Sequence, residues 1–170
     1  MSEIVEKAQE IILSCKHKGI AVDATCGNGH DTLFLLKHFK QVYAFDIQPL
    51  AIKRTAERTK GFINLILIEN DFQKINKYVD NVDAIMFNLG FLPGSNKRVK
   101  TSDFNSAAAI LKAYDLLNPG AIMSIACYTK HDGGMEEFQE IKNSLKNSGI
   151  PYKLYQGFIN EEVLIEIIKY

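Results

Sequence analysis

The sequence carries no surplus charge of either sign: its 170 residues hold 20 Lys+Arg against 20 Asp+Glu. A dedicated nucleic-acid-binding domain is usually basic, with a pI above roughly 9. The pI here is near 6.9, so contact with nucleic acid must come from a local patch. Cysteine is scarce: Cys15, Cys26 and Cys127 are odd in number, lie far apart and form no C-x-x-C pair. That excludes a disulfide framework and a cysteine zinc site, and it suits a reducing cytoplasm. No apolar run reaches the roughly 18 residues of a membrane-spanning helix. The first ten residues are polar and charged, unlike a secretory signal. Repeats, linkers and low-complexity stretches are absent too. The expectation is one cytoplasmic domain over residues 1–170, with no metal. With 46% hydrophobic and 24% charged residues, the chain has enough apolar material to build a core.

Strand-like and helix-like patterns alternate along the chain. Residues 3–18 read as a helix with Ile4, Val5, Ala8, Ile11, Ile12 and Cys15 on one face. Strands follow at 20–23, 42–45, 62–68, 82–87 and 121–127. Helices are expected at 31–39, 49–60, 72–78, 103–117 and 134–148, and Asn118-Pro119-Gly120 reads as a turn. Continuous apolar strands between helices mean an α/β sheet covered on both faces. The last two strands, 152–158 and 163–168, are too close in sequence for a crossover and must form an antiparallel hairpin.

In such sheets ligands sit beyond the carboxyl ends of the strands. The first strand leaves through Asp23-Ala-Thr-Cys-Gly27-Asn28-Gly29, and the second ends at Asp46. Glycines at 27 and 29 let the backbone approach a ligand, and the helix after them offers free N–H groups. A carboxylate at position 46 can accept both hydroxyl protons of a ribose. A dinucleotide fingerprint would place a third glycine at position 32, where this chain has Thr32. A nucleoside without a pyrophosphate fits better, and S-adenosylmethionine is a common one. Asn70-Asp71-Phe72 at the third strand's exit can bind and flank an adenine, or Asp71 can simply cap the next helix.

The fourth strand ends in Asn88-Leu89-Gly90-Phe91. This resembles the [DNS]-P-P-[YF] strand end of amino-directed methyltransferases, with Leu-Gly in place of Pro-Pro. There an Asn oxygen and a backbone carbonyl hold the N–H groups of the target amine, aiming its lone pair at the methyl carbon. A buried turn asparagine is the structural alternative. Cys26 reads as a small packed residue rather than a reactive thiol. His30 has no ligand partner at i+3 or i+4, and Asp31 beside it points elsewhere on the helix. Lys53, Arg54, Arg58 and Lys60 read as the solvent face of a helix.

Four segments together, Val22–Thr32, Phe45–Gln48, Phe87–Gly94 and His131-Asp132-Gly133-Gly134, resemble one family: small class I methyltransferases known as rRNA methylases. The likeness runs from about residue 18 to 168. It implies a Rossmann-like, mostly parallel seven-stranded sheet with a C-terminal antiparallel hairpin. It also implies S-adenosylmethionine bound over Asp23, Gly27, Asn28, Gly29, Asp46, Gln48, Asn70 and Asp71. The catalytic pocket it implies holds Asn88, Gly90, His131 and Asp132, with Phe91 and Tyr128 toward the substrate. Members are associated with tRNA, methylating the aminomethyl group of 5-aminomethyl-2-thiouridine at the wobble position. The chain departs from the family at Lys130, where a glycine is usual, and at Asn160-Glu161-Glu162, where a Pro-Pro element is common.

On this reading a neutral amine attacks the sulfonium methyl in line, and His131 or Asp132 takes the proton that an ammonium must lose first; a structural loop is the alternative role for that pair. Lys97, Arg98 and Lys100 form the local basic patch, either contacting tRNA phosphates in the anticodon region or lying solvated in a loop. Other readings are an rRNA or small-molecule amine methyltransferase on the same fold, and a nucleotide-binding partner protein without activity. A homodimer sharing one RNA footprint is a further expectation.

Overall fold

The computed structural model describes residues 1–90, 105–159 and 161–170. The first helix, α1 (Glu3–Leu13), starts where the Ser2 hydroxyl accepts the Val5 N–H at 3.3 Å, with Glu3 and Glu6 in the positive first turn. It ends five residues short of the sequence expectation. The Ser14 hydroxyl donates to the Ile11 carbonyl at 2.6 Å, and Lys18 Nζ folds back to donate to the carbonyls of Leu13 (2.8 Å) and Cys15. The polar pair thus closes the helix that the apolar spacing alone would continue.

Strands β1 (Ile20–Asp23), β2 (Gln41–Asp46), β3 (Leu65–Glu69), β4 (Val82–Leu89), β5 (Leu117–Tyr128), β6 (Lys153–Gln156) and β7 (Glu162–Ile168) form one sheet in the order β3-β2-β1-β4-β5-β7-β6. The first five run parallel, and β7 lies antiparallel between β5 and β6. The seven strands and the terminal hairpin agree with the expected class I methyltransferase fold. From β1 the chain moves outward to β2 and β3, then returns to β4 on the other side. The direction of winding therefore reverses between β1 and β4, the place at which open α/β sheets bind their ligands.

Helices α2 (His30–His38), α3 (Pro49–Arg58), α4 (Ser106–Asp115) and α5 (Gly134–Asn147) cover the sheet, with a 3₁₀ helix at Phe72–Lys77 in place of the expected short α-helix. Strand side chains alternate between the two faces. Ala21, Val42, Ala84, Met86 and Leu164 pack against α1 and α2. Val22, Phe45, Ile85, Phe87, Met123, Ile125 and Ile165 pack with α4, α5 and the 3₁₀ helix on the other face. No helix among the described residues is long and apolar enough to cross a membrane.

Asn118-Pro119-Gly120, expected as a turn ahead of a strand, lies inside β5. Between the pairs Val82–Leu117 and Ala84–Ile122, β5 advances five residues for two on β4. Gly120 takes the positive φ (+85°) that this bulge requires. At the opposite edge, α1 is sealed by the end of the chain. Ile4 shares a buried cluster with Leu164, the Phe158 N–H donates to Glu3 Oε2 at 3.3 Å, and a Cβ at Gly157 would meet Ile4 Cγ1 at 3.2 Å.

Candidate active site

The glycine loop leaving β1 is held by its own sequence from several sides. Asp23 is buried; its Oδ2 accepts the Thr32 hydroxyl at 2.6 Å and its Oδ1 the Thr25 N–H at 3.2 Å. Thr32, standing where a dinucleotide fold would have its third glycine, thus anchors the loop to the start of α2. Burial, reinforced by the neighbouring Asp31 carboxylate, pushes Asp23 up to about 8. Gly29 caps α2 at φ +83°, and a Cβ there would sit 2.9 Å from Thr55 Cα of α3. The absent side chain is what lets loop and helix meet.

From α3, Thr55 donates its hydroxyl to the Gly27 carbonyl at 3.2 Å, Arg54 Nη1 donates to Asn28 Oδ1 at 3.0 Å, and Arg58 Nε donates to the Asn28 carbonyl at 2.7 Å. The sequence pattern puts Arg54 and Arg58 on a plain solvent face. Instead they clamp the loop, while Lys53 of the same helix and Lys60 beyond its end have no such bond to it.

Asp46 ends β2 in the place expected of the ribose carboxylate. Its Oδ2 accepts the Gly27 N–H at 3.1 Å and its Oδ1 the Gln48 N–H at 3.0 Å. Each carboxylate oxygen keeps a further lone pair for a hydroxyl donor. Burial raises its pKa, an effect that these two backbone donors oppose. Beyond β3, Asn70 Nδ2 donates to the Tyr78 hydroxyl at 2.7 Å, and Asp71 Oδ1 accepts the Gln73 N–H at 2.8 Å. Asp71 is therefore the N-cap of the 3₁₀ helix, and Asn70 is braced by that helix's last turn. Cys26 is buried, and burial raises its thiol far above the ordinary range, which leaves it an inert packed residue.

Across the switch point, the Asn88 N–H donates to the Thr25 hydroxyl oxygen at 2.7 Å. The side chain of Asn88 stands within hydrogen-bonding reach of Asp31 and of Tyr128 and opposes the rise that burial gives each. A carboxylate only accepts, so the amide presents its NH₂ to Asp31 and leaves Oδ1 for another donor. Gly90 is required by Tyr128: a Cβ on Gly90 would lie 3.0 Å from Tyr128 Cδ2. Burial first, then the nearby Glu162 carboxylate, pushes the Tyr128 phenol up to about 12, so it stays protonated at neutral pH.

The His131-Asp132-Gly133-Gly134 segment forms a tight turn into α5, with the Gly134 N–H donating to the His131 carbonyl at 2.9 Å. Gly133 has φ +80°, and a Cβ at Gly134 would collide with the Tyr128 carbonyl oxygen. The His131 imidazole Nδ1 lies 3.1 Å from the Asp132 carbonyl, and on α5 the buried Glu137 accepts the Ser106 hydroxyl at 2.7 Å. These contacts make the turn a bracket for Tyr128.

Asp23, Thr25, Asp31, Asp46, Asn88, Gly90 and Tyr128 thus share one end of the sheet. Phe91, Lys97, Arg98, Lys100 and Asn160 lie outside the described residues. Thr25, Asp31 and the two α3 arginines are members that the sequence pattern does not single out. Thr25 stands in plain view inside the glycine turn, but nothing local marks a partner 63 residues away. Among the described residues, no group of three or more His, Cys, Asp or Glu side chains could hold a metal ion.

A family model described as "Putative rRNA methylase" matches residues 42–161. A tRNA (mnm(5)s(2)U34)-methyltransferase, chloroplastic, of Arabidopsis thaliana is 35% identical over 147 residues, which is 76% of this chain and 53% of the relative.

The chain belongs to this rRNA methylase family. It spans about half the length of that curated relative. Two solved structures superimpose over its whole length, each at TM-score 0.87 and 32% identity. One is an rRNA methylase so designated from Clostridium thermocellum, of which 98% is covered; the other is a similarly designated methyltransferase from Streptococcus mutans in complex with SAH, of which 99% is covered. These likenesses agree with the family read from the four motif segments and with the fold it implied.

Proposed function

We propose that the protein transfers a methyl group from S-adenosylmethionine to the aminomethyl nitrogen of the wobble uridine in tRNA, converting 5-aminomethyl-2-thiouridine to 5-methylaminomethyl-2-thiouridine. One observation carries the reading: a single loop holds both halves of the chemistry. Its Gly27 N–H fixes Asp46, and its Thr25 hydroxyl fixes Asn88. The printed activity of the Arabidopsis relative supports the nucleoside, and the SAH complex of the Streptococcus relative supports the cofactor.

The donor set fits that cofactor. Asp46 offers lone pairs to ribose hydroxyls, and Gly27 has no side chain to hold a ligand away from the loop. Asn70 and Asp71 are the residues that would read an adenine edge. Bound there, S-adenosylmethionine supplies a methyl carbon made electrophilic by its sulfonium. The chain's own residues do the rest. Asn88 Oδ1 accepts an N–H of the substrate amine and fixes the direction of its lone pair, Tyr128 braces the Asn88 amide, and Gly90 lets the Tyr128 ring lie close. Methyl transfer of this kind depends on alignment and on removal of water from a cationic donor. Lys97, Arg98 and Lys100 supply the phosphate contacts that a chain of zero net charge otherwise lacks, so charge reversal there weakens tRNA binding and flattens its salt dependence.

The test is mass spectrometry of nucleosides from tRNA that carries the unmethylated aminomethyl group, after incubation with the protein and methyl-labelled donor. Label in the wobble nucleoside supports the reading, and its loss in Asn88→Ala with cofactor binding intact supports the positioning role. Label in rRNA with none in tRNA overturns it.

A further inference from the structure

Asp31, in the first turn of α2, is the acidic residue at this end of the sheet that the established parts of the fold do not use. Asp23 spends its oxygens on Thr25 and Thr32, and Asp46 holds the N–H groups of Gly27 and Gln48. The Asp31 carboxyl is approached by the side chains of Gln9 from α1 and Asn88 from β4, yet its Oδ1 is buried and accepts no hydrogen bond. A buried carboxylate oxygen without a donor costs about 1–3 kcal/mol or more. An unmet acceptor beside the amide that orients the substrate amine is suited to a cationic donor.

We propose that Asp31 is the receptor for the substrate amine: its carboxylate pairs with an aliphatic ammonium and takes the proton that the nitrogen must lose before attack. The inference rests on the methyl-transfer reading above and deepens it by specifying the substrate class. An alkylamine is a cation at neutral pH, whereas the exocyclic amine of a nucleobase is neutral and has no use for a buried carboxylate. In the step itself, R–CH₂–NH₃⁺ gives one proton to the Asp31 carboxylate, leaving R–CH₂–NH₂ and a neutral carboxylic acid. The nitrogen lone pair then forms the N–CH₃ bond as the S–CH₃ bond breaks, and that bonding pair stays on sulfur. The products are a thioether and a secondary ammonium, R–CH₂–NH₂⁺–CH₃. The carboxyl proton passes to solvent as the product leaves.

Burial raises the Asp31 pKa, which makes the carboxylate a stronger base and narrows the gap to an alkylammonium. The titratable groups facing it are His30 beside it on α2, Asp23 on β1 and Tyr128 on β5; on α1 the facing side chain is the neutral Gln9. None of the other groups has both the free oxygen and the contact with Asn88.

The test compares wild type with Asp31→Asn on tRNA bearing the aminomethyl group, between pH 6 and 9, with calorimetry of S-adenosylmethionine alongside. Asp31→Asn keeps cofactor affinity within about twofold, and kcat at pH 7 falls roughly 100-fold, the lower range for a general base. Its rate then climbs about tenfold per pH unit as the amine deprotonates unaided, while the wild-type profile is flatter. Should Asp31→Asn fail to fold, the wild-type profile decides alone: a tenfold climb per unit across the whole range means that no base assists. An active wild type matched by Asp31→Asn, or sharing its pH profile, overturns the role of Asp31 only. A wild type that methylates no aminomethyl nucleoside overturns the functional reading and this inference together.

Discussion

The Thr25 hydroxyl oxygen accepts the Asn88 backbone N–H at 2.7 Å, joining the exit of β1 to the exit of β4. Thr25→Val keeps the shape and removes the acceptor, leaving a half-buried N–H without a partner at a cost of about 1–3 kcal/mol. The expected outcome is a fall in kcat larger than the change in cofactor affinity, with Thr25→Ser close to wild type. Steady-state kinetics with calorimetry on both variants checks it, and equal losses in the two would show that the hydroxyl has no positioning role.

Gly29→Ala introduces two faults at once. The backbone sits at φ +83°, and the new methyl would meet Thr55 Cα at 2.9 Å. A left-handed non-glycine residue alone costs about 1–3 kcal/mol. Urea denaturation should show a loss of at least that size, and calorimetry a weaker cofactor complex. Gly149→Ala is the control: φ is also positive (+67°) but nothing lies within 4 Å, so only the strain remains.

Arg58→Ala removes the bond from Nε to the Asn28 carbonyl without disturbing a buried side chain. Losing one such bond is worth about 1 kcal/mol, so cofactor affinity drops roughly fivefold while the melting temperature barely moves. Lys53→Ala on the same helix serves as the reference and leaves affinity unchanged.

The pKa of Asp23 sets a pH dependence of stability. Its folded value, about 8, lies above its value in the unfolded chain, about 3.9, so the folded state binds the proton more tightly. That contribution is fully present below about pH 4 and is lost as pH rises through about 8. Asp23→Asn can keep both partners, accepting from the Thr25 N–H and donating to Thr32, and it cannot ionise. Relative to wild type, it should therefore gain stability between pH 6 and pH 8.5 in urea unfolding. A difference that stays constant with pH would contradict the shift.

What could be read from the sequence and what could not divide by distance along the chain. Gly27, Gly29 and Asp46 announce themselves because a tight turn and a carboxylate at a strand end are local facts. The alternation of apolar runs gives the strands, and the short spacing of the last two gives the hairpin. The close of α1 at Leu13 is hidden because Lys18 caps it from outside the apolar pattern. Asn118-Pro119-Gly120 is turn chemistry in any window, yet pairing with β4 draws it into a strand as a bulge. Arg54 and Arg58 look solvated in the sequence because their partner, Asn28, lies in a separate loop. Asp31 cannot be distinguished from an ordinary first-turn acid without Gln9 and Asn88, far away in sequence, placed around it.

The packing of α1 on the last hairpin also orders events during folding. Strand β5 has a bare outer edge until β7 pairs with it, and α1 cannot close over Leu164 before that strand exists. Helix α1 thus waits for a strand far along the chain, a contact of very high sequence separation and correspondingly slow to form. Until then the chain shows both an apolar helix face and an unpaired strand, the combination most prone to self-association. Production of this protein should consequently be limited less by its final stability than by how long the hairpin takes to arrive.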